Sequence, residues 1–259
     1  MVKQRGASTA FWCILLVIAV FVAVFFINPN PGRRRGPLTC QTNLKQLGIG
    51  LVQYIQDYDQ QYPLAGPHGT GWAGALYPYE KSQSPFACPD SPEARALKVD
   101  GPKYPLTYAM NSNFVKLDGA REVPLRLDET TSAATTVIVF ETEAVPVDMS
   151  QLNEGGTVSP TGYHSGTGNG IGPVTGGSNG KQIRYSCGVF GGRQPKAAYG
   201  QLRHDPSAIY LAADGHTKIL RPKSVSTGQT PAASSAQRGD FAASTDKLDS
   251  GVVLTFSTR

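Results

Sequence analysis

No aspartate or glutamate occurs before Asp57, and the 259-residue chain holds only four cysteines, four histidines and 17% charged residues. Each scarcity excludes a class of chemistry. Cys13, Cys40, Cys88 and Cys187 never stand in C-x-x-C spacing, so no zinc-binding motif is read. His68, His164, His204 and His216 include no pair spaced i, i+4 around a glutamate, which removes the zinc-protease pattern. No hydrolase nucleophile elbow or phosphate-binding loop is read. Gly166-Thr-Gly168-Asn-Gly170 lacks the preceding strand and the final glycine spacing of a dinucleotide site. His204, Asp214 and some serine would make a triad only by assembling residues that any chain of this size contains. The chain is therefore expected not to be an enzyme.

Charge is also scarce where a nucleic-acid binder would need it. The net charge is +5, and Lys3, Arg5, Arg33, Arg34 and Arg35 account for all of it. The remaining 19 basic residues balance the 19 acidic ones, so nucleic acid is not expected as a partner. With 29 glycines and 19 prolines, strands, turns and long loops are favoured over a helical bundle.

One long apolar run is present. Residues 10–27, AFWCILLVIAVFVAVFFI, contain no charge, glycine or proline. As a helix this run would reach roughly 27 Å, near the ~30 Å hydrocarbon core of a bilayer. It lacks the small-residue cleavage site of a signal peptide. The expectation is a single-pass transmembrane anchor in the bacterial cytoplasmic membrane, with a lipid bilayer as partner and the large domain extracytoplasmic. Arg33–Arg35 alone would favour the opposite orientation. The organisation expected is a tail over 1–9, an anchor over 10–27, a Pro/Gly/Arg linker over 28–37, an α+β domain over 38–223 and a low-complexity tail over 224–259. Val252–Phe256 in that tail suits a terminal strand.

Beyond the linker, apolar residues recur at Leu44, Leu47, Leu51, Tyr54/Ile55 and Tyr58, one face of a helix. Thr39 is a candidate N-cap, and Cys40 extends the stripe. Five segments then follow in order: Cys40-Gln-Thr-Asn43-Leu44-Lys45-Gln46-Leu47-Gly48, Phe86-Ala-Cys88-Pro-Asp90, Tyr108-Ala-Met-Asn111, Thr135 to Glu141, and His204 nine residues before Asp214-Gly215. Together they resemble bacterial type IV pilin-like and type II secretion pseudopilin-like proteins of the H-x9-DG group. The resemblance implies an N-terminal transmembrane helix, then an amphipathic helix packed on an antiparallel β-sheet with long loops. It implies a non-enzymatic surface or secretion-assembly component whose partners are pilin-like or secretion-system subunits. Asn43, Leu44, Lys45, Gln46, Tyr108, Asn111, Glu141, His204, Asp214 and Gly215 are then structural motif residues. Phe11 stands where a prepilin would carry glutamate. By residue pattern alone, Asp214-Gly215 suits a type I′ turn between strands 208–212 and 216–220.

The resemblance makes Cys40–Cys88 a disulfide candidate, with pairings to Cys187 and free thiols throughout as alternatives. Calcium is a candidate cofactor, since some pseudopilins bind it; Asp118, Asp128, Glu129, Asp148 and Asp214 are available but form no ligand loop. Ten glycines between Asn153 and Gly180 suggest a surface loop. That loop, with Trp72, would serve the alternative function, an extracellular binding module for a glycan or envelope polymer.

Overall fold

The computed structural model describes residues 11–18, 36–64, 71–119, 121–164, 171–178, 180–188, 200–226 and 253–258. The chain divides into two compact units, residues 1–34 and 35–259.

The first unit corrects the expected anchor. Residues 11–18 are helical (α1). Among the described residues no helix is long and apolar enough to cross a membrane. The single-pass anchor and the membrane location inferred from it are withdrawn; residues 19–27 lie outside the described residues.

In the second unit, α2 (Pro37–Asp57) begins with proline at its first turn, where a missing N–H costs nothing. Gly36, rather than Thr39, is the N-cap. Cys40, Leu44, Leu47, Leu51 and Ile55 are buried along one face, while Lys45 and Gln46 point to solvent. Each of these large apolar side chains contributes roughly 1.5–3 kcal/mol by leaving water. After Tyr58 the chain turns sharply through Asp59 and Gln60, both at positive φ. Two short helices follow, α3 (Trp72–Glu80) and α4 (Pro92–Ala96).

The strands are β1 (Tyr104–Asn111), β2 (Val115–Asp118), β3 (Arg121–Pro124), β4 (Val137–Val147), β5 (Thr161–His164), β6 (Ile171–Gly176), β7 (Lys181–Ile183), β8 (Ala208–Ala212), β9 (Thr217–Leu220), β10 (Val225–Ser226) and β11 (Leu254–Thr255). Seven of them form one sheet in the order β7-β6-β5-β1-β4-β8-β9. The chain is α+β, but the sheet is mixed rather than antiparallel. The segment after β4 crosses to the far side of β1, so β5 runs parallel to β1 with Met110 opposite Thr161. β2–β3 is a separate hairpin, and β10–β11 a short parallel pair.

Alternation along β8 sends Ile209 and Leu211 to the α2 side and Ala208, Tyr210 and Ala212 to the other. The α2 side also holds Leu106, Tyr108, Met110 and Val139. The reverse side is covered by the chain end, where Phe256 meets Phe140 edge-on at a centroid distance of 5.1 Å. Both faces of the central strands are buried, which is why their sequences read as continuous apolar runs. The glycine-rich segment is not simply a loop: it supplies β5 and β6, and Val174 is fully buried.

Candidate functional site

Four separated segments meet beneath the N-terminal half of α2. α2 contributes Cys40 and Asn43, the turn before α4 contributes Cys88 and Asp90, β4 contributes Glu141, and the approach to β8 contributes Arg203 and His204. Cys40 and Cys88 form a disulfide with Cα atoms 4.8 Å apart. Asn43 donates through Nδ2 to the carbonyls of Ala87 (2.7 Å) and Ser84 (3.2 Å), fastening α2 to the segment that carries Cys88.

Glu141 is the centre of the cluster and is fully buried. Its Oε1 lies 3.1 Å from His204 Nε2 and 3.2 Å from Arg203 Nη1, and its Oε2 accepts from the backbone N–H of Ile209 at 3.1 Å. Burial pushes the Glu141 carboxyl upward, yet the hydrogen bond from His204, the Arg203 charge and the Ile209 N–H outweigh it. The carboxyl is held below its ordinary range. Arg203 also donates through Nη2 to the Thr142 carbonyl at 2.5 Å. His204 Nε2 sits 3.4 Å from Cys88 Sγ, and its Nδ1 faces Asp90 Oδ2 at 3.7 Å. An ionised Glu141 makes Nε2 the protonated nitrogen in this arrangement.

A second meeting point lies along the same helix. The Asp214-Gly215 turn presses against Gly48, where a Cβ would lie 2.5 Å from the Gly215 carbonyl oxygen. Gly215 has φ +90°, while Asp214 keeps a negative value. The hydrogen bonds Gly215 N–H to Ala212 O and Ala212 N–H to His216 O make this a type I turn with a glycine bulge, not the expected type I′. Asp214 pairs with His216 at 2.8 Å, so it forms no triad with His204.

The other motif residues serve the frame. Tyr108 is buried under α2. Asn111 donates to the carbonyls of Val137 and Phe256, both at 2.8 Å, joining β1 to β4 and the chain end. Glu141 lies in mid-strand rather than at the end of its strand, because β4 continues to Val147. Leu44 is buried, whereas Lys45 and Gln46 touch none of these groups.

No family model, curated protein or solved structure matches the chain. Geometry alone therefore assigns the cluster. It contains no serine or water-exposed nucleophile, and its opposite charges, Glu141 and Arg203, face one another.

Two further expectations change, and one keeps its form. Trp72 is fully buried and donates through Nε1 to the Pro160 carbonyl, so it offers no face to a glycan. Gly176-Gly177-Ser178-Asn179-Gly180 does spell G-x-S-x-G, which the sequence reading passed over. Ser178 lies between the paired strands β6 and β7, not at a strand-to-helix elbow. The candidate calcium ligands are scattered: Asp128 pairs with Arg126, Glu129 with Lys116, and Asp148 caps Ser150.

Arg203, beside His204, was missed because a single arginine carries no periodic signal. Glu154 was missed too. It is 1% exposed and accepts from Gly74 N–H at 3.0 Å in the first turn of α3. Burial raises its carboxyl above the ordinary range despite these backbone donors.

Proposed function

We propose that the chain is a non-enzymatic, pilin-like assembly component, in which α2 on its sheet is the constant frame and the β5–β7 edge is the variable one. The observation that supports this reading is that two of the resembling segments, around Cys88 and around Gly215, fasten the third, α2, onto the sheet. Cys40 bonds Cys88, Asn43 donates to the carbonyls of Ser84 and Ala87, and Gly48 meets the Gly215 turn, while Glu141 and His204 pack against one another behind Cys88; these contacts lock the helix onto the sheet rather than line a substrate cleft. The outer face of α2 leaves Leu38, Ile49 and Val52 exposed at 70%, 61% and 36%, apolar side chains set among Thr42, Lys45 and Gln53 on a face available to a neighbouring subunit.

Sedimentation and negative-stain microscopy of the purified full chain test this reading. Concentration-dependent polymers or defined oligomers are expected, and Ile49→Glu should weaken them at least tenfold. A chain that stays monomeric at every concentration, or oligomers indifferent to Ile49→Glu, would refute it. The glycan-binding alternative has lost Trp72, and no observation favours it.

A further inference from the structure

We propose that opening the Cys40–Cys88 disulfide converts the buried cluster into a site for a zinc-class divalent metal, with the two thiolates, His204 Nε2 and Glu141 Oε1 as ligands. This proposal stands independently of the assembly function.

The distances support it. Zinc takes four ligands in a tetrahedron, with bonds of about 2.3 Å to sulfur and about 2.0–2.1 Å to nitrogen or oxygen. Those bonds require edges of about 3.5 Å between sulfur and nitrogen, about 3.3 Å between nitrogen and oxygen, and about 3.8 Å between the sulfurs. His204 Nε2 already lies 3.4 Å from Cys88 Sγ and 3.1 Å from Glu141 Oε1. The ligand atoms of Cys40, Cys88 and His204 all fall within 4.8 Å of one another. On opening, the sulfur–sulfur edge has to lengthen and Cys40 Sγ has to settle about the point shared with Nε2, which is within 4.8 Å of it; Glu141 Oε1 enters through its contact with Nε2. Because the ligands come from four distant segments, C-x-x-C spacing could not mark them.

Charge and surroundings fit as well. Two thiolates, the Glu141 carboxylate, a divalent cation and the Arg203 guanidinium sum to zero, so the buried site gains no net charge on conversion. Metal binding at Nε2 moves the imidazole proton to Nδ1, which faces Asp90 Oδ2 at 3.7 Å. A carboxylate behind the second ring nitrogen is the usual partner of a metal-bound histidine.

The conversion balances with a small dithiol as reductant. Its thiolate attacks Cys88 Sγ, forming a mixed disulfide and expelling Cys40 as a thiolate. Its second sulfur then closes the reductant's own disulfide and expels Cys88 beside His204. Two electrons pass to the cysteines. The reductant's two thiol protons pass to the cysteine sulfurs and leave for solvent when the metal binds. Access lies on the Cys88 side, where Cys88, Pro89, Arg95 and Tyr104 line an open cavity of about 250 Å³.

The test uses the full chain, reduced anaerobically with a phosphine, freed of reductant, and titrated with cobalt(II) and then zinc. One equivalent of cobalt should bind with thiolate-to-metal charge-transfer absorption and a strong tetrahedral visible band, both abolished by zinc. His204→Gln should weaken cobalt binding at least ~10-fold and alter the visible band, whereas Cys187→Ser should bind like the parent. A Cys40→Ser/Cys88→Ser chain should bind none; if it fails to fold, the His204→Gln comparison decides. The proposal is overturned if the reduced folded chain takes up no cobalt, or if His204→Gln leaves the spectrum and affinity unchanged. Binding that depends on Cys187 overturns it too, as does a reduced chain that unfolds and gains no structure on adding zinc.

Discussion

Replacing Glu141 by glutamine isolates the electrostatic centre of the cluster. The amide oxygen can still accept from Ile209 N–H, so the strand pairing survives, but the negative charge is gone. Arg203, 2% exposed, then keeps only the Thr142 carbonyl and Glu93, 4.0 Å away at the surface side. Removing one partner of a buried ion pair typically costs about 3–5 kcal/mol, because the other charge is left uncompensated. For a domain of this size that corresponds to roughly 6–20 °C in Tm.

Urea unfolding followed by circular dichroism should show the midpoint falling with an unchanged slope. Replacing both partners, in Glu141→Leu/Arg203→Met, should recover most of the loss, since an apolar pair of similar volume removes both desolvation penalties. The pH dependence carries a fixed sign. The Glu141 carboxyl is held below its ordinary range in the folded state. Its contribution is therefore complete above the unfolded carboxylate range and disappears as pH falls through the lower folded value. Glu141→Gln should lack that acid-dependent part. A loss below about 1 kcal/mol, or a double variant no better than the single one, would refute the account of Glu141 as the charge that holds Arg203 in place.

Cys40→Ala/Cys88→Ala should lower stability by about 4 kcal/mol on the chain-entropy scale, given the 48-residue separation, as measured by urea unfolding beside the oxidised parent. Gly48→Ala should cost about 1–3 kcal/mol, because its Cβ would meet the Gly215 carbonyl at 2.5 Å. Gly36→Ala, with nothing within 4 Å, should cost less than Gly48→Ala, its effect limited to a poorer N-cap for α2. Burial pushes the Glu80 carboxyl up to about 7, and its Oε1 has no hydrogen-bond partner. Stability should therefore fall as pH rises from the unfolded carboxylate range through about 7. Glu80→Gln should remove that fall, gaining about 1 kcal/mol at pH 8 after allowance for solvent screening; an unchanged pH profile would refute the assignment.

Local order was legible in the sequence wherever a single period governed it. The stripe Leu44, Leu47, Leu51, Ile55 repeats at helical spacing, and that face is buried. Ala208–Ala212 reads as an apolar strand and is buried on both sides. What failed depended on partners far along the chain. Trp72 reads as an available aromatic surface until the Pro160 carbonyl, 88 residues away, takes its indole N–H. The glycine-rich stretch reads as loop because glycine weakens strands, yet pairing with β1 and β7 gives β5 and β6 their structure. The apolar run over 10–27 satisfies a hydropathy criterion, but the helix described there covers only 11–18. The Cys40–Cys88–His204–Glu141 cluster needs four segments folded together, and no local pattern in any one of them announces it.

The two fixed points on α2 explain why the recognisable residues are distributed as they are. Cys40 and Gly48 are eight positions apart, about 12 Å along the helix. A disulfide at one end prevents the helix from lifting away, and the close approach of Gly48 to Gly215 fixes its rotation and its slide over β8. Held at both points, the helix, β1, β4 and β8 form a unit that tolerates little change. β5, β6 and β7 lie beyond β1, on the edge opposite β9, and carry none of the five motif segments. Substitutions there leave both fixed points untouched. The room for change that leaves the α2 frame intact therefore lies at the exposed positions of the β5–β7 edge, the surface that the proposed assembly role would use.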